Sequence, residues 1–194
     1  MIFIIPNCTH FEDDPMAVAY VDVPETLVTT YLQMMSPDQF RPAFVSTPRG
    51  VEILECEAPD VDFYRFLYSS VGYHLRWRDR LLMSDMELST VLRSPNTSIH
   101  VLYVHGTPAG YVELEKQGQD TEVAYFGLRP QYQGRGLGKH LLSYGIARAW
   151  EGGARRVWVH TCNMDGQHAL INYTKRGFSV YRVDEQPMPD RYRS

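Results

Sequence analysis

Positive charge is in short supply in this chain. Nineteen Lys and Arg stand against 23 Asp and Glu, a formal charge of −4, and the arginines are scattered, so the clustered basic face of a nucleic-acid binder is missing. Cysteine is scarcer. Cys8, Cys56 and Cys162 are an odd number without metal-ligand spacing, which argues against a disulfide framework or a metal centre and for free thiols in a reducing compartment. No apolar run reaches the length of a membrane-spanning helix. The opening Met1-Ile2-Phe3-Ile4-Ile5-Pro6 lacks the basic start and the hydrophobic length of a secretory signal, so the expected setting is the cytoplasm. Internal repeats and low-complexity tracts are lacking too, and 194 residues with 44% hydrophobic content suffice for one domain with a real core plus an arm.

Glycine, by contrast, is concentrated at one junction. Residues 129–139 read Arg-Pro-Gln-Tyr-Gln-Gly-Arg-Gly-Leu-Gly-Lys, between 123–128, rich in strand formers, and 141–150, whose apolar residues recur at helical spacing. A helix start offers unpaired N–H groups and a positive dipole end, and glycine removes the Cβ that would hold a phosphate off the backbone. The junction is a candidate pyrophosphate cradle, although a plain strand-to-helix turn uses glycine in the same way. Two phosphate-binding patterns fail on spacing. Lys139 is not followed by Ser or Thr, as a Walker loop requires. Gly134, Gly136 and Gly138 alternate, and the next strand ends in His160-Thr161-Cys162 rather than in the acidic residue of a dinucleotide fingerprint.

Residues 1–48 carry prolines at 6, 15, 24, 37, 42 and 48 and read as an N-terminal arm, with a strand-forming stretch 26–34 able to pair with a sheet edge or a second subunit. The main domain is expected over 49–185, with 186–194 as a tail. Within it the pattern predicts a strand at 51–56, a helix at 61–70 and a helix from Ser84, where Glu87 completes a capping box, to about Ser94. A hairpin follows over 99–104 and 109–115, then a strand at 121–128, the helix after the glycines, a strand at 156–161, a helix at 167–176 stopped by Gly177, and a last strand through Val183.

The spacing Gln133, Gly136, Gly138 fits Gln-x-x-Gly-x-Gly, and Ala169, Tyr173, Gly177, Phe178 fits Ala-x-x-x-Tyr-x-x-x-Gly-Phe. Both motifs, in this order with a strand between them, resemble the signatures of the GNAT N-acetyltransferase superfamily over about 51–183. The resemblance implies an α/β fold with a mixed central sheet flanked by helices, acetyl-CoA as cofactor, and acetyl transfer to the amine of a small molecule or peptide in a ternary complex. A non-catalytic acyl-CoA sensor, or a transferase of a different acyl group, would share the cradle. Neither nucleic acid nor membrane is an expected partner; a homodimer through the arm is.

By the same resemblance, pantetheine lies along the backbone of Phe126, Gly127 and Leu128, while Gln133, Gly134, Arg135, Gly136, Leu137, Gly138 and Lys139 meet the diphosphate. Relatives carry an Asn three residues before the motif Ala; Gly166 stands there, which leaves Asn163 as the nearest stand-in. Tyr173 matches the motif Tyr and is the candidate acid for the leaving thiolate. Glu122 resembles the glutamate that activates the amine in histone-type relatives, and its parity puts it on the face of Phe126 provided no bulge intervenes. His160 is the alternative base, by its position and intrinsic pKa; Glu113 and Glu115 are weaker ones. Phe63, Phe66 and Leu67 are read as core, and Tyr68, Tyr73, His74 and Trp77 as walls of the acceptor pocket. Arg65, Arg76, Arg78 and Arg80 could instead receive a carboxylate.

Overall fold

Seven strands form one sheet, seen in a computed structural model that describes residues 21–46, 49–166 and 168–193; burial alternates along β1 and β6 and is continuous through the centres of β3 and β4. Cys8 and the apolar opening lie outside the described residues. The strands are β1 (Thr26–Met34), β2 (Val51–Glu55), β3 (Thr97–Val104), β4 (Thr107–Gln117), β5 (Asp120–Leu128), β6 (Arg156–Cys162) and β7 (Ser179–Pro187), in the order β2-β3-β4-β5-β6-β1-β7. Neighbours are antiparallel except β5 and β6. A parallel pair needs a crossover, and the helix α3 (Leu137–Glu151) supplies it.

Helices α1 (Val61–Gly72) and α2 (Asp85–Leu92) cover one face, where Tyr64, Leu67, Tyr68, Val71 and Leu88 pack on Ile99, Val101 and Tyr111. The other face holds α3 and the short α4 (Ala169–Lys175), with Leu141, Leu142, Ile146 and Tyr173 packed against Val112, Leu114, Val123, Val157 and Val159. The α2 start is the predicted capping box: the Ser84 N–H donates to Glu87 Oε2 at 2.8 Å and the Glu87 N–H to Ser84 Oγ at 3.3 Å. No helix among the described residues is long and apolar enough to cross a membrane.

Three expectations need correction. The stretch 26–34 is the expected strand and pairs with the sheet, but not as an arm: β1 is inserted between β6 and β7, so both of its edges are already paired and none is left for a second subunit. Phe66 is 44% exposed rather than core, stacked on Phe63 with the Arg129 guanidinium 5.5 Å above its ring. Beyond Val183, β7 runs on to Pro187, and what was read as a tail is docked, with Met188 buried beside Leu27 and Met164 and Arg191 bonded to Asp79 at 2.8 Å.

Under α1 lies a charged group in the core. Glu113 is fully buried; it accepts from Arg80 at 2.6 Å and from the Tyr64 hydroxyl. Burial pushes its carboxyl above the ordinary range against the opposing pull of Arg80. Glu113 therefore serves the core, and Glu115 pairs across the sheet with Glu122. Removing one partner of a buried ion pair strands the other charge. Arg80→Met is expected to cost about 3 kcal/mol or more of unfolding free energy, read by chemical denaturation, and Arg80→Met with Glu113→Gln to recover part of it. A single variant as stable as the parent would contradict this.

Candidate active site

β5 and β6 are paired at Asp120/Arg156, Thr121/Val157 and Glu122/Trp158, and no further. Beyond that point β5 stays with β4 and β6 stays with β1, so the strands part. The wedge opens into a cavity of about 1040 Å³ whose walls include residues 123–128 of β5, His160 and Cys162 of β6, the glycine turn and α4. The β6-facing backbone groups of 123–128 have no strand partner, and such groups call for hydrogen bonds from whatever enters.

The turn into α3 has the geometry of an anion site. Gly134 and Gly136 sit at φ of 74° and 76°, a region side chains avoid, and no side chain caps the helix that starts at Leu137. Gly138 is different. Its φ is ordinary and a Cβ there would meet only Leu128 Cδ1 at 3.7 Å, so no packing within the protein demands glycine; it keeps the helix start low where the cavity touches it. Gln133 ties the turn down, donating from Nε2 to the Leu128 carbonyl at 3.2 Å. Lys139 lines the cavity, whereas Arg135 lies over the Tyr132 ring and Leu137 is buried in the core. Gly127 lines the cavity too, but its missing side chain makes room for α1: a Cβ would sit 2.4 Å from Val71 Cγ1.

The two candidate bases prove to be partners. His160 Nδ1 lies 2.9 Å from Glu122 Oε1, and Gln117 donates to Glu122 Oε2 at 3.0 Å. A carboxylate at Nδ1 fixes the proton there in the neutral ring and leaves Nε2 as the basic nitrogen. The His160 side chain is 46% exposed and lines the cavity; that of Glu122 is 8% exposed and stands behind it. The hydrogen bond to Glu122 raises the His160 pKa, against the effect of burial. The expected shared face of Glu122 and Phe126 is wrong, because the register slips between Glu113/Tyr125 and Leu114/Val123 and makes Ala124 a bulge. Glu122 thus shares the side of Tyr125, and Phe126 points to the opposite side.

Phe126 meets Tyr173 edge to face at 6.3 Å. Tyr173 is buried at the cavity wall, and among the described residues its hydroxyl has no hydrogen-bond partner. Burial, with Asp165 and Cys162 adding in the same direction, drives its phenol far above the ordinary tyrosine value. Cys162 sits nearby with its thiol pushed up to about 12, mainly by burial, which keeps it protonated and a poor nucleophile.

Of the expected acceptor walls, Tyr68 and Trp77 line the cavity; Tyr73, beneath Arg78 at 4.3 Å, and His74 do not. Trp77 Nε1 donates to Asp165 at 3.2 Å. Arg65 is bonded to Asp85 at 2.6 Å and Arg78 to backbone carbonyls, so of the four arginines only Arg76 lines the cavity. Asn163 is also a correction: its amide bonds Val28 N at 3.1 Å and Thr26 O at 2.9 Å, fastening β1 to the end of β6, and it does not line the cavity. Sequence reasoning missed Thr29 and Tyr31 on β1, Asp79, Asp165 and Arg176, all of which line it. The regular strand pattern of 26–34 was the available signal for the first two.

The model of the acetyltransferase (GNAT) family matches residues 55–178. A mycothiol acetyltransferase of Corynebacterium aurimucosum is 38% identical over 78 residues, 38% of this chain and 25% of that protein, so the chain matches only a fraction of that relative's length. Among solved structures, a GCN5-related N-acetyltransferase from Kribbella flavida superimposes with a TM-score of 0.58 at 17% identity, over 84% of this chain and 58% of that one. An aminoglycoside acetyltransferase from an uncultured soil sample, in complex with sisomicin, gives 0.56 at 14% identity over 66% and 88%.

The His160–Glu122 contact has a sign that can be checked. A histidine whose folded pKa is raised adds stability that is complete below the unfolded value of about 6.5 and is lost as pH rises through the folded value. Glu122→Gln should lower the His160 pKa in an NMR titration of its ring protons, and its deficit in Tm should shrink at alkaline pH. An unmoved titration would show that the contact does not act on the imidazole.

Proposed function

The chain belongs to the acetyltransferase (GNAT) family, whose model covers residues 55–178, and on that premise we propose that it transfers an acetyl group from acetyl-CoA to the primary amine of a small molecule or peptide by direct attack of the amine. The observation that carries this reading is a single cavity bordered by an uncapped helix start, an unpaired strand edge, a carboxylate-backed imidazole and a phenol without a partner. When bound, acetyl-CoA supplies an activated acyl carbonyl and a thiolate leaving group. The residues present fit it: the α3 amides and Lys139 suit its diphosphate, and the open edge of residues 123–128 suits the amides of its pantetheine arm.

His160 is the base. An alkyl amine has a pKa of about 10 and is mostly protonated at neutral pH, so Nε2 takes a proton from the ammonium before attack and frees its lone pair, and Glu122 holds the ring and steadies the imidazolium. The second N–H proton, released as the amide forms, restores the phenol that protonated the thiolate. Tyr173 is the acid, with a phenol held protonated by burial and free to donate. A cationic amine could meet the Trp77 ring and Asp165, both of which line the cavity; Asp79 is already paired with Arg191 and the Tyr31 ring with Arg182. The similar proteins named for mycothiol and for aminoglycosides are in keeping with a small acceptor.

Tyr173→Phe is expected to lower kcat about 100-fold with little change in KM for acetyl-CoA, measured as thiol release over a panel of amines. The acid limb of the kcat/KM profile should fall above pH 6.5 and move to lower pH in Glu122→Gln, because His160 must be neutral to act. Tight acetyl-CoA binding with no thiol release for any amine would sink the enzymatic reading in favour of a binding module.

A further inference from the structure

Arg176 is the C-cap residue of α4 and is only 8% exposed, yet it lines the cavity. Its Nε and Nη1 are buried and have no hydrogen-bond partner, and among the described residues no carboxylate pairs with it. Arginine presents a planar fork of donors and stays charged, so a buried fork without an anion is costly unless a ligand completes it. Desolvation lowers its pKa, the mark of a cation whose charge nothing nearby offsets.

The surroundings show what such a ligand would be. The Arg176 carbonyl accepts from the Arg41 N–H at 3.0 Å. Two residues on, the Ala43 N–H donates to Ser143 Oγ of α3 at 2.9 Å, and Val45 Cγ1 would lie 3.5 Å from a Cβ on Gly136. Residues 41–45 thus run directly from Arg176 to the start of α3, and five residues reach at most about 18 Å. Lys139 and Lys175 line the same cavity, and Asp165 precedes the other end of α4. Lys175 and Arg176 stand at the C-terminal end of α4 and Lys139 in the first turn of α3, while Asp79, which also lines the cavity, is already paired with Arg191. The 41–45 segment also lies outside the family-matched residues 55–178.

We propose that Arg176 is a phosphate anchor for the nucleotide end of the coenzyme, opposite the α3 amides, held in place by the 41–45 segment. This rests on the acyl-CoA reading of the cavity. A phosphate arriving there accepts from the guanidinium edge and relieves its unpaired charge, which adds specificity for the phosphorylated coenzyme over its pantetheine part alone.

Isothermal titration with CoA and with pantetheine, which carries no phosphate, tests this on the parent, Arg176→Met and Arg176→Lys. The affinity advantage of CoA over pantetheine should narrow about tenfold or more in Arg176→Met, with Arg176→Lys in between. The ligand-free Tm of Arg176→Met should equal or exceed the parent's, since an uncompensated buried charge is gone. An advantage unchanged within twofold, or a fall of several degrees in ligand-free Tm, overturns the anchor and leaves the acyl-CoA reading standing. A parent with no preference for CoA over pantetheine overturns both.

Discussion

Three residue pairs between β5 and β6 are all that joins the two halves of the sheet at the site, and the architecture of the cavity depends on where that pairing stops. Had the strands stayed together to Leu128, every backbone group of 123–128 would have a sheet partner and the wedge would be closed. The bulge at Ala124 helps to end it, since an extra residue bends the strand and increases its twist. What results is an edge with the hydrogen-bonding demand of an open β-strand inside a cleft. That edge suits an extended, amide-bearing ligand in the way an added strand suits a sheet edge.

The same bulge sorts the chemistry between the two faces. It turns Glu122 toward the side of Tyr125 and Trp158, where it meets His160, and turns Phe126 the other way, against Tyr173. Behind Tyr125 the Arg80 guanidinium lies 5.2 Å from the ring centroid while it is held by Glu113, and Tyr68 packs on the ring at 5.1 Å. This buried network forms the back wall of the site, while the turn and α4 meet solvent.

Local signals in the sequence were readable because local physics decides them. The α2 start follows from Ser84 and Glu87 alone, and the α3 start from glycines at positive φ. Strand and helix order followed from periodicity for the same reason. What escaped depends on contacts remote in sequence. The strand pattern of 26–34 was visible, but its place between β6 and β7 is fixed by registers with residues more than 120 positions away. Asn163 reads as polar and available until β1 is found to consume both ends of its amide. Glu122 and His160 looked like rivals because nothing in a linear reading says that the three paired positions of β5 and β6 bring them within 2.9 Å. Arg176 stood in a motif interval, and no linear reading brings Arg41 to its carbonyl or shows that its side chain is buried.

The strongly raised phenol of Tyr173 might be thought to disqualify it as an acid, since in water a thiol of pKa about 8.5 yields a thiolate too weak to deprotonate even an ordinary tyrosine. The comparison in water is the wrong one. Cys162 borders the same cavity, and burial there lifts its thiol to about 12. A thiolate generated beside it would lose hydration for the same reason and would be a stronger base. Donor and acceptor are displaced upward together, and the difference that governs proton transfer is narrower than either displacement alone. The low dielectric that makes the phenol reluctant to ionise also strengthens its hydrogen bond to a developing anion. On the proposed reaction, desolvation by Phe126 and Phe178, which meet the Tyr173 ring edge to face, would therefore assist the acid rather than disable it.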